Sequence, residues 1–138
     1  MVLVNYQHEF NYREFLEGQS PVLQLQVSRP ENSENNLVVD AYLDSGAQRS
    51  LFNGFVIASL GIILVNNRMQ RYTSTAGNPI EAYLHRVRLT LPDVGDFNLE
   101  IGFSSNTIRR NLLGRDFFNL AQIGFRENQL KYYLTPSP

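Results

Sequence analysis

Asp44 stands where an apolar run gives way to a tight turn. Leu37-Val38-Val39-Asp40-Ala41-Tyr42-Leu43 is followed directly by Asp44-Ser45-Gly46-Ala47-Gln48. A strand that ends this way delivers one carboxylate, with a hydroxyl beside it, into a turn. A carboxylate so placed can take or give a proton for a bound reactant. The small Gly46 and Ala47 let backbone, substrate or a second subunit come close. Asp, Ser and Gly are also common turn formers, so the tripeptide gains weight only from a companion elsewhere in the chain. That companion is Asn111-Leu112-Leu113-Gly114-Arg115-Asp116-Phe117-Phe118, two aliphatics and a glycine opening a short helical pattern.

Other chemistries find few residues to use. The chain has no cysteine, which excludes disulfides, thiolate metal sites and a cysteine nucleophile. His8 and His85 are isolated, with no tight His/Asp/Glu spacing, so no metal and no cofactor is expected and both histidines read as surface residues. There is no Gly-x-Ser-x-Gly elbow and no glycine-rich phosphate loop.

The elements that must position Asp44 read as strands. Val22 to Val27 alternates strictly, with Leu23, Leu25 and Val27 on one face, as a half-buried strand does. The polar stretch 29–36 predicts a turn leading into the strand 37–43. Phe52 to Leu60 suits a short helix stopped near Gly61. Residues 71–75 and 81–91 are β-rich runs flanking the hairpin tip Ala76-Gly77-Asn78-Pro79. Val87, Leu89 and Leu91 share one face of the second run. Phe97, Leu99, Ile101 and Phe103 alternate in a further strand. A helix over 115–120 and a closing strand over 129–134 follow. Many short strands, two short helices and regular turn signals predict an all-β barrel or sandwich. Residues 1–20 read as an N-terminal extension or first edge element, 21–135 as the domain, and 136–138 as a proline-bearing tail that cannot continue a sheet.

With 138 residues, 43% of them hydrophobic, the chain suits one domain with a single core. A net charge of −1 argues against a nucleic-acid partner or an anionic membrane surface, and Arg109, Arg110 and Arg115 read as a solvated face. The N-terminus turns polar and acidic too early for a secretory signal. The longest apolar stretch, 55–65, is about half a membrane span. A soluble, cytoplasmic protein is expected.

The pairing of an apolar-Asp-Ser-Gly-Ala turn with a later apolar-apolar-Gly-Arg-Asp helix start resembles the retropepsin-like aspartic proteases. The likeness covers residues 22–134, and the run Asp44-Ser45-Gly46-Ala47-Gln48 is especially similar to the Ddi-type (DNA-damage-inducible) members. The resemblance implies a retropepsin-like closed barrel forming half of a symmetric homodimer. It implies an endopeptidase whose two Asp44 carboxylates, about 3 Å apart and sharing one proton, activate a water against an extended peptide. One Asp44 cannot do this, and the chain has no internal repeat to supply a second. By the same resemblance Ser45 hydrogen-bonds across the interface, Gly46 offers its backbone to substrate or carboxylate, and Ala47 completes the loop. Thr75, Ala76, Gly77 and Asn78 fall where the family carries its flap. Leu112, Leu113, Gly114 and Arg115 pack behind the active-site turn as structural residues. Viral relatives commonly place an Asp where this chain has Gln48, so Arg115 is expected to find a neutral hydrogen bond or another carboxylate. The competing reading is a catalytically silent dimerisation or peptide-binding module on the same fold.

Overall fold

The computed structural model describes residues 1–16, 18–73 and 77–137. In chain order the strands are β1 (His8–Asn11), β2 (Arg13–Phe15), β3 (Gly18–Ser20), β4 (Val22–Arg29), β5 (Asn32–Leu43) and β6 (Leu51–Asn53). They continue as β7 (Met69–Thr73), β8 (Pro79–Leu91), β9 (Gly95–Ser104), β10 (Asn111–Leu113), β11 (Ala121–Arg126) and β12 (Lys131–Pro136). Helix α1 (Gly54–Ser59) follows β6 and helix α2 (Arg115–Phe118) follows β10.

One sheet runs β4-β5-β10-β6-β9-β8-β7, and β4 also pairs with β8. That second pairing sets Gln26 against Thr90, Val27 against Leu89 and Ser28 against Arg88. It closes β4, β5, β10, β6, β9 and β8 into a barrel and leaves β7 outside on β8. The alternating strands decide which side chains fill it. Leu23, Leu25 and Val27 of β4, Val87, Leu89 and Leu91 of β8, and Ile101 and Phe103 of β9 are buried inside, with Phe52, Val56 and Ile57 beside them. Each such side chain contributes about 1.5–3 kcal/mol by leaving water. Helix α2 closes the cluster through Phe117, whose ring meets Phe97 edge-on at 5.3 Å.

A second sheet, β1-β12-β11, lies against the barrel. The opening segment supplies its edge: His8–Asn11 pairs antiparallel with β12, and Tyr12 enters the core. Phe10 stacks on Tyr132 at 5.0 Å, and the Tyr132 hydroxyl donates to the Val22 carbonyl at 3.1 Å, tying this sheet to the start of β4.

Several local expectations are corrected. The polar residues 32–36 belong to β5, so the β4–β5 hairpin turns over residues 30 and 31 alone. Their exposed side chains fit an edge that projects beyond the barrel. Residues 51–53 are strand, and the helix begins only at Gly54. Leu112 and Leu113 lie on strand β10 rather than in the opening of a helix. The last strand continues through Thr135 to Pro136, which is opposite Ala121. A proline is tolerated there because the strand is ending and no further ladder donor is required. His85 is buried rather than on the surface: its Nε2 donates to the Leu64 carbonyl at 2.7 Å and its ring packs against Phe103.

Candidate active site

Strand β5 carries Asp44 to one end of the barrel, and β10 holds it there. The two strands pair in parallel, with Asn111 opposite Ala41, Leu112 opposite Tyr42 and Leu113 opposite Leu43. The Asp44 N–H continues that ladder by donating to the Leu113 carbonyl at 2.9 Å. Beyond this point the chain turns. Ala47 N–H donates to the Asp44 carbonyl at 3.1 Å, and Gly46 N–H donates to Asp44 Oδ1 at 2.9 Å. Gly46 thus gives its backbone to the carboxylate and fixes the orientation of the half-buried side chain.

The turn is fastened from behind by the start of α2. Arg115 N–H donates to the Ala47 carbonyl at 2.8 Å. Gly114 lies so close that a Cβ there would stand 2.7 Å from the Ala47 carbonyl oxygen and 3.0 Å from that of Arg49. Only a residue without a side chain fits. The Arg115 side chain is exposed and makes neither ion pair nor hydrogen bond among the described residues, so neither contact expected of it is present. The residue that sequence reasoning missed is its neighbour. Asp116 accepts from the Ser50 N–H at 3.0 Å and from the Ser50 hydroxyl at 2.7 Å, and that hydroxyl accepts from Gly114 N–H at 3.0 Å. Ser50 has no exposure, so these bonds satisfy groups that water cannot reach.

Asp44 faces an open cleft of about 660 Å³. One wall is the turn itself, through Gly46, Ala47, Gln48 and Arg49; another is the base of the β7–β8 hairpin, through Gln70, Arg71, Tyr72, Thr73 and Ile80. The hairpin is anchored by Tyr72, whose hydroxyl donates to the Ser50 carbonyl at 3.1 Å and whose ring lies against Gly102 of β9. Burial, and then the nearby Asp116 charge, push the Tyr72 phenol up to about 12. At the hairpin tip Gly77 has φ 86° and nothing within 4 Å of its Cβ direction, and Asn78 is exposed beside it. Thr75 and Ala76 lie outside the described residues. The third wall carries Ile108, Arg109, Arg110 and Leu112. Arg109 is exposed and Arg110 half-buried, and both border the cleft.

The structure thus brings Asp44, Gly46 and Ala47 together with Leu113, Gly114 and the backbone of Arg115. Ser45 is exposed beside them, and its hydroxyl has no partner among the described residues. Asp44 is the single carboxylate of the described cleft lining. No group of three His, Cys, Asp or Glu among the described residues could hold a metal ion. A half-buried carboxylate oriented by its own turn and facing an open groove is fit for proton transfer, given a second acid or base.

No protein-family model matches the sequence, and no curated protein matches it. Solved structures do. A retropepsin-like aspartic protease from Rickettsia conorii aligns over 100% of this chain and 100% of its own, with a TM-score of 0.62 and 15% identity. The EIAV protease, solved with the inhibitor HBY-793, aligns over 76% of this chain and 90% of its own, with a TM-score of 0.51 and 17% identity. At such identities the likeness is one of architecture: the chain has the retropepsin-like aspartic protease fold.

Proposed function

We propose that the protein is an aspartic endopeptidase that works as a symmetric homodimer. The observation that carries this reading is the placement of Asp44 at the end of β5, oriented by Gly46 N–H and aimed into an open cleft that contains no second described carboxylate. Aspartic proteolysis needs two carboxylates about 3 Å apart sharing one proton. A two-fold axis beside the turn supplies the second from another copy of the chain. The ionised Asp44 then takes a proton from water as the water attacks the scissile carbonyl. The protonated Asp44 of the second copy hydrogen-bonds the carbonyl oxygen. Activity accordingly follows a bell in pH with an acidic to mildly acidic optimum.

The same reading gives the surrounding residues their work. The Ser45 hydroxyl, without a partner among the described residues, suits a bond across the dimer axis. The β7–β8 hairpin, with Gly77 near its tip, closes over an extended peptide and pairs with it as an added strand. The order Asp44-Ser45-Gly46-Ala47-Gln48 aligns the chain with the Ddi-type members of the group. A cytoplasmic setting belongs to the proposal, and no described helix is long and apolar enough to cross a membrane.

The test is Asp44→Asn. An amide cannot act as base, so the variant is expected to keep its fold and its oligomeric state while losing peptide hydrolysis. Retained hydrolysis removes Asp44 from the chemistry. Absence of hydrolysis in wild type as well, with a dimer intact, leaves the fold as a silent peptide-binding module.

A further inference from the structure

Four arginines line the cleft that holds Asp44. Arg49 follows the Asp44 turn, Arg71 belongs to β7, and Arg109 and Arg110 belong to the segment entering β10, so the lining holds one acid and these four bases. The chain as a whole holds 13 acidic and 12 basic residues, so the imbalance is local to this groove. Arg49, Arg71 and Arg110 form no ion pair with any described carboxylate. Arg110 lies over an aromatic face: its guanidinium carbon is 4.2 Å from the centroid of the Tyr42 ring. A cation–π contact of this kind leaves the guanidinium N–H groups for another partner. A groove lined by one sign of charge, with protein on its walls, concentrates ligands of the opposite sign.

Resting on the peptide-cleaving reading of Asp44, we infer that this cleft selects extended peptides carrying Asp or Glu close to the scissile bond. Arginine and carboxylate meet as a bidentate, charge-assisted pair, which gives direction as well as attraction. A two-fold assembly repeats the arginines on both sides of the axis, so acidic residues are favoured both before and after the cut. Apolar side chains still find Ile80, Ile108 and Leu112 in the lining.

Two measurements test this. Wild-type protein is incubated with a proteome-derived peptide mixture, and the residues around each cut are read by mass spectrometry. Separately, dodecapeptides with a central Leu-Phe flanked by either Glu or Gln are titrated onto Asp44→Asn protein by fluorescence anisotropy. Acidic residues are expected to be enriched within a few positions of the cut. The Glu peptide is expected to bind about tenfold tighter than the Gln peptide at low salt, with the gap narrowing in high salt. Arg71→Gln and Arg110→Gln each shrink that gap severalfold, whereas Arg86→Gln, on an exposed position of β8 outside the cleft, preserves it. Equal binding of the two peptides, or a preference that survives loss of both Arg71 and Arg110, overturns the inference. Cleavage by wild type without acidic enrichment also overturns it and leaves the protease reading intact. An arginine-dependent preference in binding, with no cleavage by wild type, does the reverse.

Discussion

Ser50 and Asp116 lie 66 residues apart in sequence and are joined through both the backbone and the side chain of Ser50. The Asp116 carboxylate accepts the Ser50 N–H at 3.0 Å and the Ser50 hydroxyl at 2.7 Å. The same hydroxyl accepts from Gly114 N–H, which ties the loop after Asp44 to the start of α2. The platform beneath the candidate catalytic turn is therefore polar, and Asn53 and Asn111 continue buried polar pairing along β6 and β10.

Removing one member strands buried partners. Asp116→Ala leaves the Ser50 N–H and hydroxyl without an acceptor, at an expected cost of about 3 kcal/mol in unfolding free energy. Ser50→Ala orphans Gly114 N–H and is expected to cost about 1–2 kcal/mol. A double-mutant cycle by urea denaturation should return a coupling of about 1 kcal/mol or more. Additive effects would show that the two residues stabilise the fold separately.

Gly114→Ala drives a methyl into the carbonyls of Ala47 and Arg49, which are backbone and cannot rotate away. The expected loss is about 2 kcal/mol, with the Asp44 turn displaced. Peptide turnover should fall further than the melting temperature suggests. A variant with unchanged turnover and stability would mean that the turn relaxes freely.

Tyr72 links the hairpin to alkaline stability. Its phenol is raised from 10.0 to about 12 by burial and then by the Asp116 charge, so the folded state keeps the neutral form. That contribution is complete below pH 10 and is lost as pH rises from 10 through 12. Tyr72→Phe is expected to cost about 1 kcal/mol at neutral pH for the lost bond to the Ser50 carbonyl, and to make the decline above pH 10 shallower. Denaturant titrations at successive pH values check both. Burial also raises Tyr12 and Tyr132, so part of the decline persists in the variant.

Gly77→Val tests the hairpin as a gate. A β-branched residue at φ 86° is strained by roughly 1–2 kcal/mol, and the tip stiffens into another conformation. Peptide turnover and affinity for a statine-type inhibitor should change, with melting temperature changed much less because the position is exposed. Normal peptide kinetics would remove this hairpin from substrate handling.

Dimerisation has its own signature. Specific activity and sedimentation are expected to depend on protein concentration over the same range, since each subunit brings one Asp44. Full activity in a monomeric sample would end the shared-carboxylate mechanism.

The sequence carried the barrel where side chains alternate. Leu23, Leu25 and Val27, like Val87, Leu89 and Leu91, announce a strand and its inner face at once. Strands β6 and β10 have three residues each, too few to show a period, and their partners are remote in the chain. Asp44 was legible because a strand visibly ends there. Asp116 was not, since an acid near a helix start is ordinary and nothing local points to Ser50. Arg109 and Arg110 read as solvent-facing charge in the sequence, and only the fold brings them into the lining of the cleft that holds Asp44.

The parallel pairing of β5 with β10 also has a consequence for how the protein is made. Asp44 leaves the ribosome well before residues 111–116, which carry the acceptor for its N–H and the anchor of its loop. Contacts of such sequence separation form late, after the local hairpins β4–β5 and β8–β9. A nascent chain ending before Asn111 carries the aspartate but not the platform that aims it, so the turn acquires its working shape only after residues 111–116 have emerged.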